Sequence, residues 1–180
     1  MENSLDLEPA ANDFGALLLS PLPPETRQRL LRFSFGDRSG DALLLLEQIT
    51  EILNVNTADI LPVPEMPSCV LGIGNWRGEM LWLIDLNDLV GYPSFDLGTS
   101  SSLTVVVVEV NHQFLGVGVQ KVNDIELHDL QQLQPAVPNL FPPNLLPLVL
   151  GTLPGCCDVV LNIQAIAQYP LWKTHPERGD

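Results

Sequence analysis

The apolar positions of this chain come in short runs, alternating or continuous, with turn chemistry between them. "LLRFSF" alternates from Leu30, "GDRSGD" supplies a turn, and "ALLLLE" is a second short apolar run, which is hairpin grammar. "EQITEILNV" fits strand or helix by periodicity, and its β-branched residues favour strand. A proline-rich loop, "PVPEMP", leads to "CVLGIGNW" and "EMLWLIDL", which flank Arg77-Gly78 as another hairpin; "NDLVGY" then reads as a single helical turn. "PSFDLGTSSS" is a loop and marks a lobe boundary. Beyond it, "LTVVVVEV" is a buried strand, "NHQ" a tight connection and "FLGVGVQKV" its partner, continued by "NDIELHDLQQL". "QPAVPNLFPPN" is a second Pro-rich connection, and "LLPLVLGTL", "PGCCD" and "VVLNIQAIA" read as a closing hairpin. Each half thus carries about five short strands, and closed lobes remove sheet edges that a sandwich would leave exposed. The expected class is all-β, with barrel-like lobes near residues 28–95 and 100–170.

Composition narrows the function. The chain has 180 residues, 46% apolar and only 17% charged, enough for one cored domain or two small lobes with a shared interface. Sixteen prolines and thirteen glycines suit short strands and turns. A formal charge of −14 leaves too few cations for a nucleic-acid-binding face and disfavours an anionic membrane surface. No apolar run approaches the roughly 18 residues of a membrane-spanning helix, and the acidic start is unlike a secretory signal. No direct membrane insertion and a cytoplasmic location are therefore expected. Cys69 alone and the adjacent Cys156 and Cys157 do not form a disulfide framework. Residues 1–25 hold five acids and no Lys or Arg, the composition of a flexible acidic arm; the domain is expected over 26–172, with a mobile tail over 173–180. Arg27, Arg29 and Arg32 read as a solvated lead-in to a strand or as contacts for that arm.

Candidate chemistry is sparse. Gly72, Gly74 and Gly78 miss the dinucleotide-binding spacing, and a strand rather than a helix follows them. His112, His128 and His175 lack ligand-spaced neighbours, and adjacent cysteines share a metal or a disulfide poorly. Asp85 and Asp88 suit a strand-end hydrogen bond and a helix cap better than an acid/base pair. No catalytic constellation, metal site or cofactor is implied, so a non-enzyme is expected. Arg77 remains. It is one of two cations between residues 39 and 172, against fourteen acids. It can close an ion pair with a residue such as Glu51, or present its planar fork to a partner; the two are compatible.

Residues 62–91, "PVPEMPSCVLGIGNWRGEMLWLIDLNDLVG", resemble the signature of CheW-like chemotaxis adaptor domains, with Gly72, Asn75, Arg77, Gly78, Ile84, Asp85, Leu86 and Leu89 in step. The resemblance extends over roughly 28–170 through "ITEIL", "VVVVEV" and the closing hairpin. It implies two intertwined five-stranded β-barrels. It also implies a non-enzymatic scaffold coupling a methyl-accepting chemoreceptor's cytoplasmic tip to the regulatory domain of a CheA-type histidine kinase. By position, Arg77 and Glu51 would belong to the receptor-facing surface, with apolar Ile49 nearby and Asn75 and Gly78 shaping the turn. The chain departs from the pattern at Trp82, where the family usually has Pro, at Asn87, where Arg is common, and at Gln120-Lys121. The first hairpin also lacks the aromatic often seen after its turn. These departures suggest a divergent paralogue with altered partner choice, such as one of a type IV pilus or phototaxis-type pathway. The rival reading is a stand-alone structural or inhibitory domain that self-assembles and binds neither receptor nor kinase.

Overall fold

The computed structural model describes residues 25–36 and 40–169. The expected acidic arm (save Glu25), the tail over 173–180 and the tip of the first hairpin lie outside them. Among the described residues, ten strands form two five-stranded sheets. β1 (Arg27–Phe35), β2 (Gly40–Leu45), β8 (Val122–Asp129), β9 (Val149–Thr152) and β10 (Val159–Leu161) make the first, in the order β8-β1-β2-β10-β9. β3 (Ile49–Asn56), β4 (Val70–Trp76), β5 (Glu79–Asp85), β6 (Ser102–Val110) and β7 (Gln113–Val119) make the second, in the order β3-β6-β7-β5-β4. Each sheet curls into a barrel-like lobe. The lobes are intertwined, because the first is built from both ends of the chain and the second from its middle. The lobe boundary expected at "PSFDLGTSSS" instead falls inside the second lobe, since β3, β4 and β5 share a sheet with β6 and β7.

Each barrel has its own small core. Leu30, Leu43, Leu45, Leu153 and Val160 fill the first; Leu81, Leu83, Val105, Val107 and Trp76 fill the second. The largest apolar cluster lies between the lobes, where Leu31, Phe33, Ala42 and Leu44 of one meet Ile84, Val106, Val108 and Val117 of the other. This explains why "ALLLLE" and "LTVVVVEV" are apolar at successive positions and not alternately: both faces of these strands are covered. Fully burying each such side chain contributes roughly 1.5–3 kcal/mol, so the interlobe contact stabilises both barrels together.

Three further expectations change. "NDIELHDLQQL" does not extend β7: the chain bends at Gln120-Lys121, the Ser34 N–H donates to the Lys121 carbonyl at 2.8 Å, and β8 pairs with β1 in the other lobe. Pro147 removes a strand donor, so Leu146–Leu148 form a 3-10 turn and β9 begins only at Val149. "VVLNIQAIA" is strand only to Leu161, after which the Asn162 side chain caps helix α2 (Ile163–Ala167) by accepting from the Ala165 N–H at 3.2 Å.

Helix α1 (Leu86–Val90) anchors the turn region that the sequence singled out. Fully buried Asp85 caps it: Oδ1 accepts from the Asn87 and Asp88 N–H groups at 2.9 and 3.2 Å, while Oδ2 accepts from Phe95 N–H at 2.7 Å. Burial pushes this carboxyl above its ordinary value, and the three N–H donors oppose that shift. Gly91 ends the helix in the left-handed region at φ 93°. Asn87 is buried and its Oδ1 accepts from the Gly36 N–H at 3.0 Å, tying α1 to the first hairpin. Tyr92 then stacks edge-on against Phe35, ring centroids 5.3 Å apart.

Candidate partner-binding site

Strand alternation would put Ile49 and Glu51 on one face of β3. A β-bulge between them prevents this. Ile49 pairs with Val108 and Ile52 with Val106, whose side chains face the interlobe cluster, whereas Glu51 pairs with Val107, which faces the barrel interior. The extra residue therefore sets Ile49 and Ile52 on the outward face and turns Glu51 the other way. Ile49 is half-buried against the interlobe cluster; the solvent-exposed apolar residue of β3 is Ile52.

Glu51 stands at the seam where the two end strands of its sheet, β3 and β4, approach across the barrel. Its Oε2 accepts from Trp76 Nε1–H at 2.9 Å and from Arg77 Nη2–H at 2.9 Å. The Trp76 hydrogen bond is the main reason that the Glu51 carboxyl is held below its ordinary range, with Arg77 adding to it. The Trp76 ring packs on Phe114, centroids 4.7 Å apart, and carries the Arg77 guanidinium over it, with Cζ 4.9 Å from the ring centroid. A cation over indole at this distance contributes about 0.5–1 kcal/mol at an exposed site.

The turn fixes where that cation points. Trp76 pairs with Glu79, leaving Arg77 and Gly78 as a two-residue hairpin loop with φ of 54° and 84°. Two positive φ values match the twist of the flanking strands and are the type I′ pattern. An added Cβ at Gly78 would meet nothing, so its glycine is required by backbone conformation and not by space. Arg77 pays a left-handed penalty of about 1 kcal/mol, which the ion pair and the indole contact offset. Asn75 accepts from the Gly78 N–H at 3.1 Å and steadies the loop. The Arg77 side chain remains 64% exposed, oriented at its root and open at its donors.

A second arginine site escaped the sequence reading. Arg32 is not a solvated lead-in. It is only 17% exposed and makes a bidentate pair with Glu126 at 2.7 and 2.9 Å, a bond to Asp158 at 2.7 Å and a longer contact to Asp41 at 3.5 Å. His128 Nε2 lies 2.6 Å from Glu126, and the Arg32 and His128 contacts hold the Glu126 carboxyl at about 2. Of the other flagged arginines, Arg27 pairs with Glu25 at 2.8 Å.

The remaining candidates stay apart. His112 is fully exposed, 3.7 Å from Glu109. Burial pushes the Cys156 thiol up, opposite to what a thiolate nucleophile needs.

The model of the CheW-like domain family matches residues 29–151, which span β1 to the third residue of β9. The chain belongs to the CheW-like domain family. No match was found among curated proteins. Among solved structures, the scaffolding protein TtCheW from Thermoanaerobacter tengcongensis aligns with a TM-score of 0.63 and 21% identity. The alignment covers 76% of this chain and 89% of that one, a likeness of fold. Within this CheW-like domain, the two departures nearest the turn have different status. Asn87 is taken up by the fold as the acceptor for Gly36. Trp82 is 37% exposed on the outer face of β5 and is not consumed by the core.

Proposed function

We propose that this CheW-like domain is a non-enzymatic adaptor of chemotaxis-type signal transduction, and that it couples a methyl-accepting receptor's cytoplasmic tip to a CheA-type kinase in the cytoplasm. The observation that carries the reading is Arg77: a guanidinium aimed by Glu51 and Trp76, on a left-handed turn, with most of its surface open. The contact surface comprises Arg77, Glu51, Asn75 and Gly78. The exposed apolar residue of the same strand as Glu51 is Ile52, on its other face, while Ile49 is taken up by the interlobe cluster. A helical receptor tip offers carboxylates and carbonyls to the fork. The domain then acts as a rigid spacer, passing on a receptor's conformational bias by holding its partners at fixed geometry.

Titration of the purified chain with a receptor-tip fragment tests this. Arg77→Ala weakens binding by about 2 kcal/mol or more if Arg77 is an anchor, with an unchanged circular dichroism spectrum. Unaltered affinity removes the site assignment. The self-assembling alternative draws support from β8, an end strand of its sheet that exposes Ile125 and Leu127. Light scattering over a concentration series separates the two: growing oligomers without receptor affinity favour self-assembly.

A further inference from the structure

Trp82 belongs to an apolar row that crosses three neighbouring strands of the second lobe. The registers place Ile73, Trp82 and Leu115 directly opposite one another on the outer face, and Leu61 joins the row through its bridge to Ile73. Met80, one pair further along β5, is exposed on the same face. Where this face meets the end of α2, it deepens into a groove of about 380 Å³. Met66, Trp82, Phe114 and Leu115 supply its apolar wall, Gln113 and Gln168 its neutral polar atoms, and no charged side chain among the described residues lines it. Such a lining suits an uncharged aromatic ring with one hydrogen-bond donor.

The chain itself supplies such a group. Gln168 is part of the groove wall, and the described chain ends one residue later, at Tyr169. Eleven residues follow, "PLWKTHPERGD", and the two large apolar ones among them, Leu171 and Trp172, come first. Trp172 lies four positions beyond Gln168, a reach of up to roughly 14 Å at full extension. Pro170 restricts the residue before it to an extended conformation, which directs the chain away from a continuing α2. We infer that the C-terminal segment folds back on the second lobe and seats the Trp172 indole in this groove against Trp82. Trp82 is then the floor of an intramolecular dock, and the occupant is this chain's own tail. The dock touches the Arg77 site through Phe114, on which the Trp76 ring packs, but does not depend on the adaptor reading.

The chain has three tryptophans, so the indole N–H signals of the ¹⁵N-labelled full-length protein report the dock directly. Substitution of each tryptophan by Phe assigns them. The expected result is a Trp172 indole that tumbles with the body and is shielded from acrylamide, and a Trp82 signal that moves in Trp172→Ala. Met66→Gln, which alters a groove residue outside the packed apolar clusters, exposes Trp172 to the quencher. A Trp172 signal with the sharpness of free peptide, together with an unmoved Trp82 signal, overturns the inference. So does a Trp82 shift that appears only as protein concentration rises, because the tail then seats on a second copy.

Discussion

The two arginines of the two lobes, Arg32 and Arg77, arise from similar sequence settings and end in opposite states. Each sits in or beside a strand of an acidic chain, and each finds a glutamate far away in sequence. Arg32 is drawn into the first lobe and covered by Glu126, Asp158 and Asp41, so all three of its nitrogens are engaged. Arg77 meets one carboxylate oxygen through one nitrogen and leans on an indole, with the rest of the fork in solvent. A partly buried cation must be fully paired, because its desolvation is otherwise uncompensated, whereas an exposed one keeps water as its partner until something better arrives. The difference separates an arginine that holds the fold from one available for recognition.

The sharpest way to break this contrast is Arg32→Met. It leaves a cluster of carboxylates without their cation, and an expected loss of about 3 kcal/mol in urea unfolding follows from orphaning partly buried charges. A loss no greater than that of Arg77→Ala would erase the distinction. Next comes pH. Glu126 is held at about 2, well below its ordinary 4.5. Its stabilising contribution is therefore complete above about pH 4.5 and is lost as pH falls through 2. Thermal melts across that window should show a decline that Glu126→Gln flattens. Trp76→Phe keeps the ring but removes the principal donor to Glu51; a stability loss of about 1 kcal/mol is expected by denaturant titration. The smallest effect belongs to Arg77→Ala, whose exposed pair should shift unfolding by less than about 1 kcal/mol.

Sequence reading succeeded where the cause is local. The Arg77-Gly78 hairpin, the Asp85 cap and the α1 turn follow from residues within a few positions of each other. The Arg77–Glu51 pair was visible as one option because cations are so scarce around it. The Arg32 cluster was not visible, since its partners come 9, 94 and 126 residues later in the chain. The bulge in β3 left only a trace: "ITEIL" breaks alternation at Thr50-Glu51, and the paired register then shows that Glu51 and Ile52 take faces a regular strand would exchange. Asn87 read as a departure from the family pattern, yet its task is to hold Gly36, 51 residues away.

The order of strands in the first lobe also governs how the protein is born. β1 and β2 pair with each other early, but β8 and β10, which flank them, leave the ribosome roughly 80 to 120 residues later. Until then the leucine-rich β2 has one unpaired edge, while β3 to β7 can already close the second lobe. The nascent chain thus carries a finished barrel behind a sticky hairpin. Synthesis stalled before Leu161 should yield an aggregation-prone, chaperone-dependent species.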